Sequence, residues 1–126
     1  MILGIGIDIV HVTRMAHWLE TPELMDRFFH PSEIDDALRR GKSAALSLAA
    51  RFAAKEAFGK ALGTGLHGLI LKEIRVKNNR FGKPDIELLG MAKKALSDFG
   101  GTRVHLTMTH ERDNAVAMVV LEGEGQ

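Results

Sequence analysis

The segment Arg51-Phe52-Ala53-Ala54-Lys55-Glu56-Ala57-Phe58-Gly59-Lys60-Ala61-Leu62-Gly63-Thr64-Gly65 constrains the fold more than any other part of the chain. It reads as an alanine-rich helix stopped by glycines, and it carries one carboxylate and three cations, an unusual load for a helix that faces a core. At about 100° per residue, Glu56 and Lys60 stand one turn apart on one ridge while Arg51 and Lys55 share another. An acid and an amine therefore project together beside small side chains that invite close packing, which suits a site holding a metal and a phosphate.

A packing partner is legible at the N-terminus. Residues 2 to 10 read as a strand in which the odd positions Leu3, Ile5, Ile7 and Ile9 form a wholly apolar face. The even positions are Ile2, Gly4, Gly6, Asp8 and Val10. Glycines within a strand leave room for another backbone, and the alanine-rich helix is the natural visitor, through Ala49 and Ala53 on the side of Glu56. That packing brings Asp8 toward Glu56.

The remaining elements follow from caps and breakers. A helix is expected from about Thr13 to Glu20; Thr21-Pro22 starts a short one through Phe28 or Phe29. Ser32 is placed to cap a third helix, whose first turn carries Glu33, Asp35 and Asp36 and which Gly41 closes. The long helix runs from about Ser43 to Leu62. Ile70 to Lys77 and Lys83 to Leu89 read as a hairpin around Asn78-Asn79-Arg80-Phe81-Gly82, followed by a helix from about Met91 to Phe99. A second hairpin joins Arg103–Thr109 to Asn114–Glu122, and residues 123–126 are expected to fray. The result is an α+β fold, a mainly antiparallel sheet packed on a long central helix.

Composition bounds the function. With 126 residues, 45% of them hydrophobic, the chain suits one domain spanning 1–126 with one core. Seventeen basic against sixteen acidic side chains leave a net charge of +1, too weak a field for nucleic acid or a membrane surface. The absence of Cys removes disulfide and thiolate chemistry and fits a reducing compartment. The apolar N-terminus has no basic leader and is interrupted by Asp8, so a cytoplasmic protein is expected.

Two carboxylates converging on one point need a proton or a cation between them, and an oxygen-only pair favours a hard ion such as Mg²⁺ over zinc. Spacing alone also allows a plainer arrangement, in which Asp8 ends a strand and Glu56 pairs with Lys60 at i,i+4. Lys60 and Arg51 could neutralise a metal-bound diphosphate, whereas Lys55 fits ordinary snorkelling. Strand alternation puts His105 and His110 on opposite faces, so they are not paired metal ligands, and His110 beside Glu111 is the better placed to meet a phosphate. Neither Gly4-Ile5-Gly6 nor Gly63-Thr64-Gly65 completes a dinucleotide or P-loop motif. On the residues alone, a Mg²⁺-dependent phosphohydrolase and a small oligomeric binding module for RNA or an acidic protein remain rival readings.

Taken in order, Gly4-Ile5-Gly6-Ile7-Asp8-Ile9-Val10, the Arg51–Gly65 segment with its Lys-Glu-x-x-x-Lys, Gly82-Lys83-Pro84 and Thr107-Met108-Thr109-His110-Glu111 resemble the 4′-phosphopantetheinyl transferases of the small, trimeric holo-(acyl-carrier-protein) synthase type. The resemblance implies transfer of 4′-phosphopantetheine from coenzyme A to a serine of apo acyl carrier protein, with release of adenosine 3′,5′-bisphosphate. It implies Mg²⁺, with Mn²⁺ as a substitute, held by Asp8 and Glu56. Those two residues and Lys60 form the catalytic set, with Glu56 as the candidate base and Glu111 as a second candidate. Arg51, Lys60, Gly63, Thr64, Gly82, Lys83, Pro84 and His110 would bind coenzyme A. Arg14, Met15, Trp18, Arg27 and Phe28 would meet the carrier protein, although His11 stands where many relatives carry Glu. A homotrimer with active sites shared between subunits is expected.

Overall fold

The computed structural model describes residues 1–124, in the order β1 (Ile2–His11), α1 (Val12–Trp18), α2 (Pro22–Phe28), α3 (Pro31–Leu38), α4 (Ala44–Leu62), β2 (Ile74–Asn78), β3 (Pro84–Leu88), α5 (Gly90–Asp98), β4 (Gly101–Glu111) and β5 (Asn114–Gly123). Short 3-10 turns precede α4 at Gly41–Ser43 and β2 at Leu71–Glu73. The expected strand from Ile70 is therefore shorter, because its first residues coil into that turn. Among the described residues no helix is long and apolar enough to cross a membrane.

Two antiparallel sheets form, where the sequence suggested one main sheet. β1, β5 and β4 pair in that order, and β2 pairs only with β3. α4 lies across the first sheet. Ala49, Ala53, Ala57 and Ala61 recur every fourth residue along it and are 0–4% exposed, and they face Ala115, Ala117, Val119 and Leu121 of β5, all fully buried. Small residues on both surfaces allow helix and sheet to approach closely. α4 ends at Gly63, whose φ of 84° is the left-handed conformation that glycine adopts without a Cβ penalty.

The glycines of β1 do admit a backbone, but at a different part of the helix from the one expected. A Cβ on Gly4 would lie 2.0 Å from the Ala61 carbonyl oxygen, and one on Gly6 would lie 2.0 Å from that of Ala57. The contacts fall two turns beyond Ala49 and Ala53. The odd face of β1 is not core: Ile5, Ile7 and Ile9 are 57–61% exposed in the single chain.

Caps also differ from expectation. Thr21 makes no side-chain cap bond. α3 is capped by His30, whose ring accepts from the Ser32 N–H, while Glu33 Oε1 accepts from the His30 N–H at 2.9 Å. Ser32 thus lies inside the helix, and Glu33, expected in the first turn at the positive end of the helix dipole, is fully buried. Of the tail expected to fray, Gly123 closes β5, its N–H donating to the Met1 carbonyl at 2.9 Å. Residues 125 and 126 lie outside the described part.

Candidate active site

β1 and α4 together bring Asp8, Glu56 and Lys60 into one cluster. Helical side chains lean toward the N-terminus of their helix, so the Lys60 chain lies back over the Glu56 turn. Its ammonium donates to Asp8 Oδ1 at 2.9 Å and to the Ile7 carbonyl at 3.0 Å. The Asp8 side chain is 17% exposed and that of Lys60 50%.

The electrostatics record two acids in competition. Burial, and then the charge of Asp8, push the Glu56 carboxyl above the ordinary carboxylate value, while Lys60 and Arg14 pull it back. The Lys60 ammonium is held above its usual value by its hydrogen bond to Asp8, then by the charges of Asp8 and Glu56. The plainer pairing of Glu56 with Lys60 alone does not describe this: Lys60 donates to Asp8 and to the Ile7 carbonyl, not to Glu56.

A second group surrounds a cavity of about 350 Å³ lined by Arg51, Gly82, Pro84 and His110. Sequence reasoning missed Arg40, Ser43, Ser47, Asn78 and Thr109 on the same wall. Ser43, Ser47 and Arg51 repeat at the four-residue spacing of one helix ridge, which was a usable signal. Lys83 is exposed and does not line the cavity. Thr64 lies instead beside a second hollow of about 300 Å³, with His67, Asp98 and Phe99. Gly63 is the α4 cap and lines neither.

Arg51 does more than face the cavity. Its guanidinium, 4% exposed, donates to the Val76 carbonyl, to Ser47 Oγ at 3.2 Å and to Asp36. Burial pulls its pKa down against the charges of Glu33 and Asp36. Lys55 does not snorkel. It is fully buried, its ammonium bonded to Glu33 Oε1 at 2.7 Å and to the carbonyls of Leu71 and Ile74. Burial lowers it to about 8 despite the Glu33 charge.

The cavity and the carboxylates lie on different sides of α4. Arg51 and Glu56 project about 140° apart, and Arg51 and Lys60 are separated by about 13 Å along the axis. One chain therefore presents two half-sites. Glu111 joins neither; it sits exposed at the β4 end, 3.7 Å from Arg112.

Of the surface residues, Arg14 and Arg27 are exposed and Trp18 and Phe28 half-buried. The Trp18 and Phe28 rings stack at 5.1 Å, and the Arg14 guanidinium lies 5.4 Å from the Trp18 ring and 5.0 Å from Phe52. Met15 is fully buried and is removed from the expected contact surface, because its turn of α1 faces the core.

Asp8 and Glu56 are a pair of oxygen donors; among the described residues no group of three or more His, Cys, Asp or Glu could hold a metal. Two hard oxygen donors fit Mg²⁺, which keeps several waters and takes further oxygens from substrate phosphates.

Comparison with known proteins fits this geometry. Residues 4–119 match the model of the 4′-phosphopantetheinyl transferase superfamily. A holo-(acyl-carrier-protein) synthase of Treponema denticola is 54% identical over 123 residues, covering 98% of this chain and all of the relative. A crystal structure of the Neisseria meningitidis holo-(acyl-carrier-protein) synthase superposes with a TM-score of 0.88 at 38% identity, covering 97% of this chain and 99% of that one. The Bacillus anthracis synthase, solved in complex with CoA (3′,5′-ADP), superposes with a TM-score of 0.81 at 36% identity, covering 98% and 99%.

Proposed function

Since the chain belongs to the 4′-phosphopantetheinyl transferase superfamily and is a transferase of the holo-(acyl-carrier-protein) synthase type, we propose that it moves 4′-phosphopantetheine from coenzyme A to a serine of apo acyl carrier protein, releasing adenosine 3′,5′-bisphosphate. The observation that carries this reading is the convergence of Asp8, Glu56 and Lys60 between β1 and α4, in a chain aligned with its relatives from end to end.

Asp8 and Glu56 would hold Mg²⁺, or Mn²⁺ in its place. When bound, the ion supplies Lewis-acid neutralisation of the coenzyme A diphosphate. Arg51, His110, Gly82 and Pro84 form the cavity that receives the 3′-phosphate and adenine end, with Lys83 flanking it. Gly63 and Thr64, at the end of α4, would follow the pantetheine side. The carrier serine oxygen attacks the β-phosphorus as its proton passes to a base, and the bond from that phosphorus to the bridging oxygen breaks. Glu56 is that base in our reading rather than Glu111, because Glu56 stands in the cluster with Asp8 and Lys60 whereas Glu111 sits exposed at the β4 end. Lys60, one turn along, places its ammonium against the charge on the departing phosphate.

The carrier surface consists of Arg14, Trp18, Arg27 and Phe28, cations set on aromatic faces and suited to an acidic partner. A homotrimer is supported by the bare face of β1 and by the half-sites on opposite sides of α4. A neighbour docked on Ile5, Ile7, Ile9 and Met118 would bring one chain's cavity to another's carboxylates. A Cys-free chain suits the reducing cytoplasm, where we set the reaction.

The test is mass spectrometry of apo carrier protein incubated with the enzyme, coenzyme A and Mg²⁺. The carrier should gain a phosphopantetheine mass on its serine. A carrier left unmodified here but modified by a control synthase would end the proposal, and product release without any carrier would favour the phosphohydrolase.

A further inference from the structure

We propose that Lys60 is the counter-ion of Asp8 in the metal-free enzyme and that its ammonium must leave Asp8 for the metal to bind, so that loading the ion releases Lys60 toward the substrate phosphate. The inference rests on the metal role of Asp8 and Glu56 and concerns what occupies that site beforehand.

Three observations carry it. First, Lys60 does not hang free as a phosphate-seeking side chain would: its ammonium is fixed by two acceptors on β1, Asp8 Oδ1 at 2.9 Å and the Ile7 carbonyl at 3.0 Å. Second, its bond is to one of the two oxygen ligands available to a cation, and the other, Glu56, lies one turn back on its own helix. An ammonium and a divalent ion near the same carboxylates repel one another, and one oxygen of Asp8 is already engaged. Third, the side chain is half exposed, so the ammonium can swing into solvent or onto a phosphate without unpacking anything. Arg14 also bears on Glu56 electrostatically, but it lies over the Trp18 and Phe52 rings and is not bonded to Asp8. It is the natural comparison for a general effect of nearby positive charge.

The exchange gives Lys60 two successive partners. Before loading it offsets the repulsion of two close carboxylates; afterwards the ion does so, and the freed ammonium is available to the diphosphate the ion binds. Metal and coenzyme A should therefore bind with positive coupling, since each provides an alternative partner for a charge the other displaces.

The experiment titrates Mn²⁺ into full-length enzyme without coenzyme A and reads free Mn²⁺ by electron paramagnetic resonance. Lys60→Met should bind Mn²⁺ about two- to fivefold more tightly than wild type, the range set by breaking an exposed ion pair. Arg14→Gln, which removes a charge that bears on Glu56 without a bond to Asp8, should tighten binding clearly less than Lys60→Met does, and Asp8→Ala should abolish saturable binding. Circular dichroism confirms that each variant is folded. Unchanged or weaker binding by Lys60→Met overturns the proposal, as does equal tightening by Arg14→Gln, which would reduce the effect to overall charge. If the wild type shows no saturable Mn²⁺ binding that Asp8→Ala removes, the metal site itself fails and the exchange fails with it.

Discussion

The ammonium of Lys55 and the carboxylate of Glu33, neither exposed to solvent, meet at 2.7 Å and join α4 to a hairpin that the main sheet does not hold. Glu33 also accepts from the Val76 N–H at 3.0 Å, and Lys55 donates to the Leu71 and Ile74 carbonyls. The hairpin of β2 and β3 contributes Asn78, Gly82 and Pro84 to the cavity, so this buried charge pair helps to set the cavity wall. Breaking such a pair leaves one charge stranded. Lys55→Met should cost about 3–5 kcal/mol in urea unfolding, and Glu33→Gln combined with Lys55→Gln should recover more than half of it. Equal losses in the single and double variants would refute the pairing account.

Gly6 is set by a carbonyl oxygen. A Cβ there would come within 2.0 Å of the Ala57 oxygen, and neither backbone can yield without separating β1 from α4. Gly6→Ala should lose about 1–3 kcal/mol of stability by denaturant titration, the scale of an overpacked core. Turnover should fall by more than stability explains, because Asp8 rides on the displaced strand.

Glu56 should stabilise nothing in the metal-free enzyme. Its folded-state pKa lies above the unfolded value, so between the two values the folded chain binds more protons, and stability from this group falls as pH rises through that window. At neutral pH without metal, Glu56→Gln should therefore melt higher than wild type in a calorimeter, and the gap should close as pH falls below the unfolded value. Carrier modification by the variant should drop on the order of a hundredfold or more. A lower melting temperature for Glu56→Gln at neutral pH would contradict the assigned environment.

The bare face of β1 should be an interface. In the proposed trimer, Ile7→Lys should shift the assembly toward the 13.8 kDa single chain in light scattering and abolish carrier modification. A variant that stays trimeric and active would exclude this face.

The central helix and its glycine-faced strand were legible because their signals are local: alanine spacing, a strand period of two and a glycine stop. Asp8 and Glu56 were found together because the same packing that satisfies the glycines brings the acids close. What escaped detection depends on contacts distant in sequence. Glu33 reads as a helix-start acid, and its burial rests on partners distant in sequence, Val76 and Lys55, 43 and 22 residues away. The Ile face of β1 reads as apolar, but periodicity does not report which surface covers it. Met15 was placed on the surface by the family resemblance, and a seven-residue helix is too short for its own pattern to show which side faces in.

Gly4 and Gly6 also bear on how the chain reaches this fold. Strand registers that differ by one residue exchange the two faces, and misaligned pairing is a common folding error. Here a slipped β1 would press isoleucine side chains into the spaces where the Ala57 and Ala61 carbonyls allow none, and it would turn Asp8 away from Glu56. A misaligned molecule can neither close its core nor assemble its acids, so the chain verifies its own alignment before it can become an enzyme.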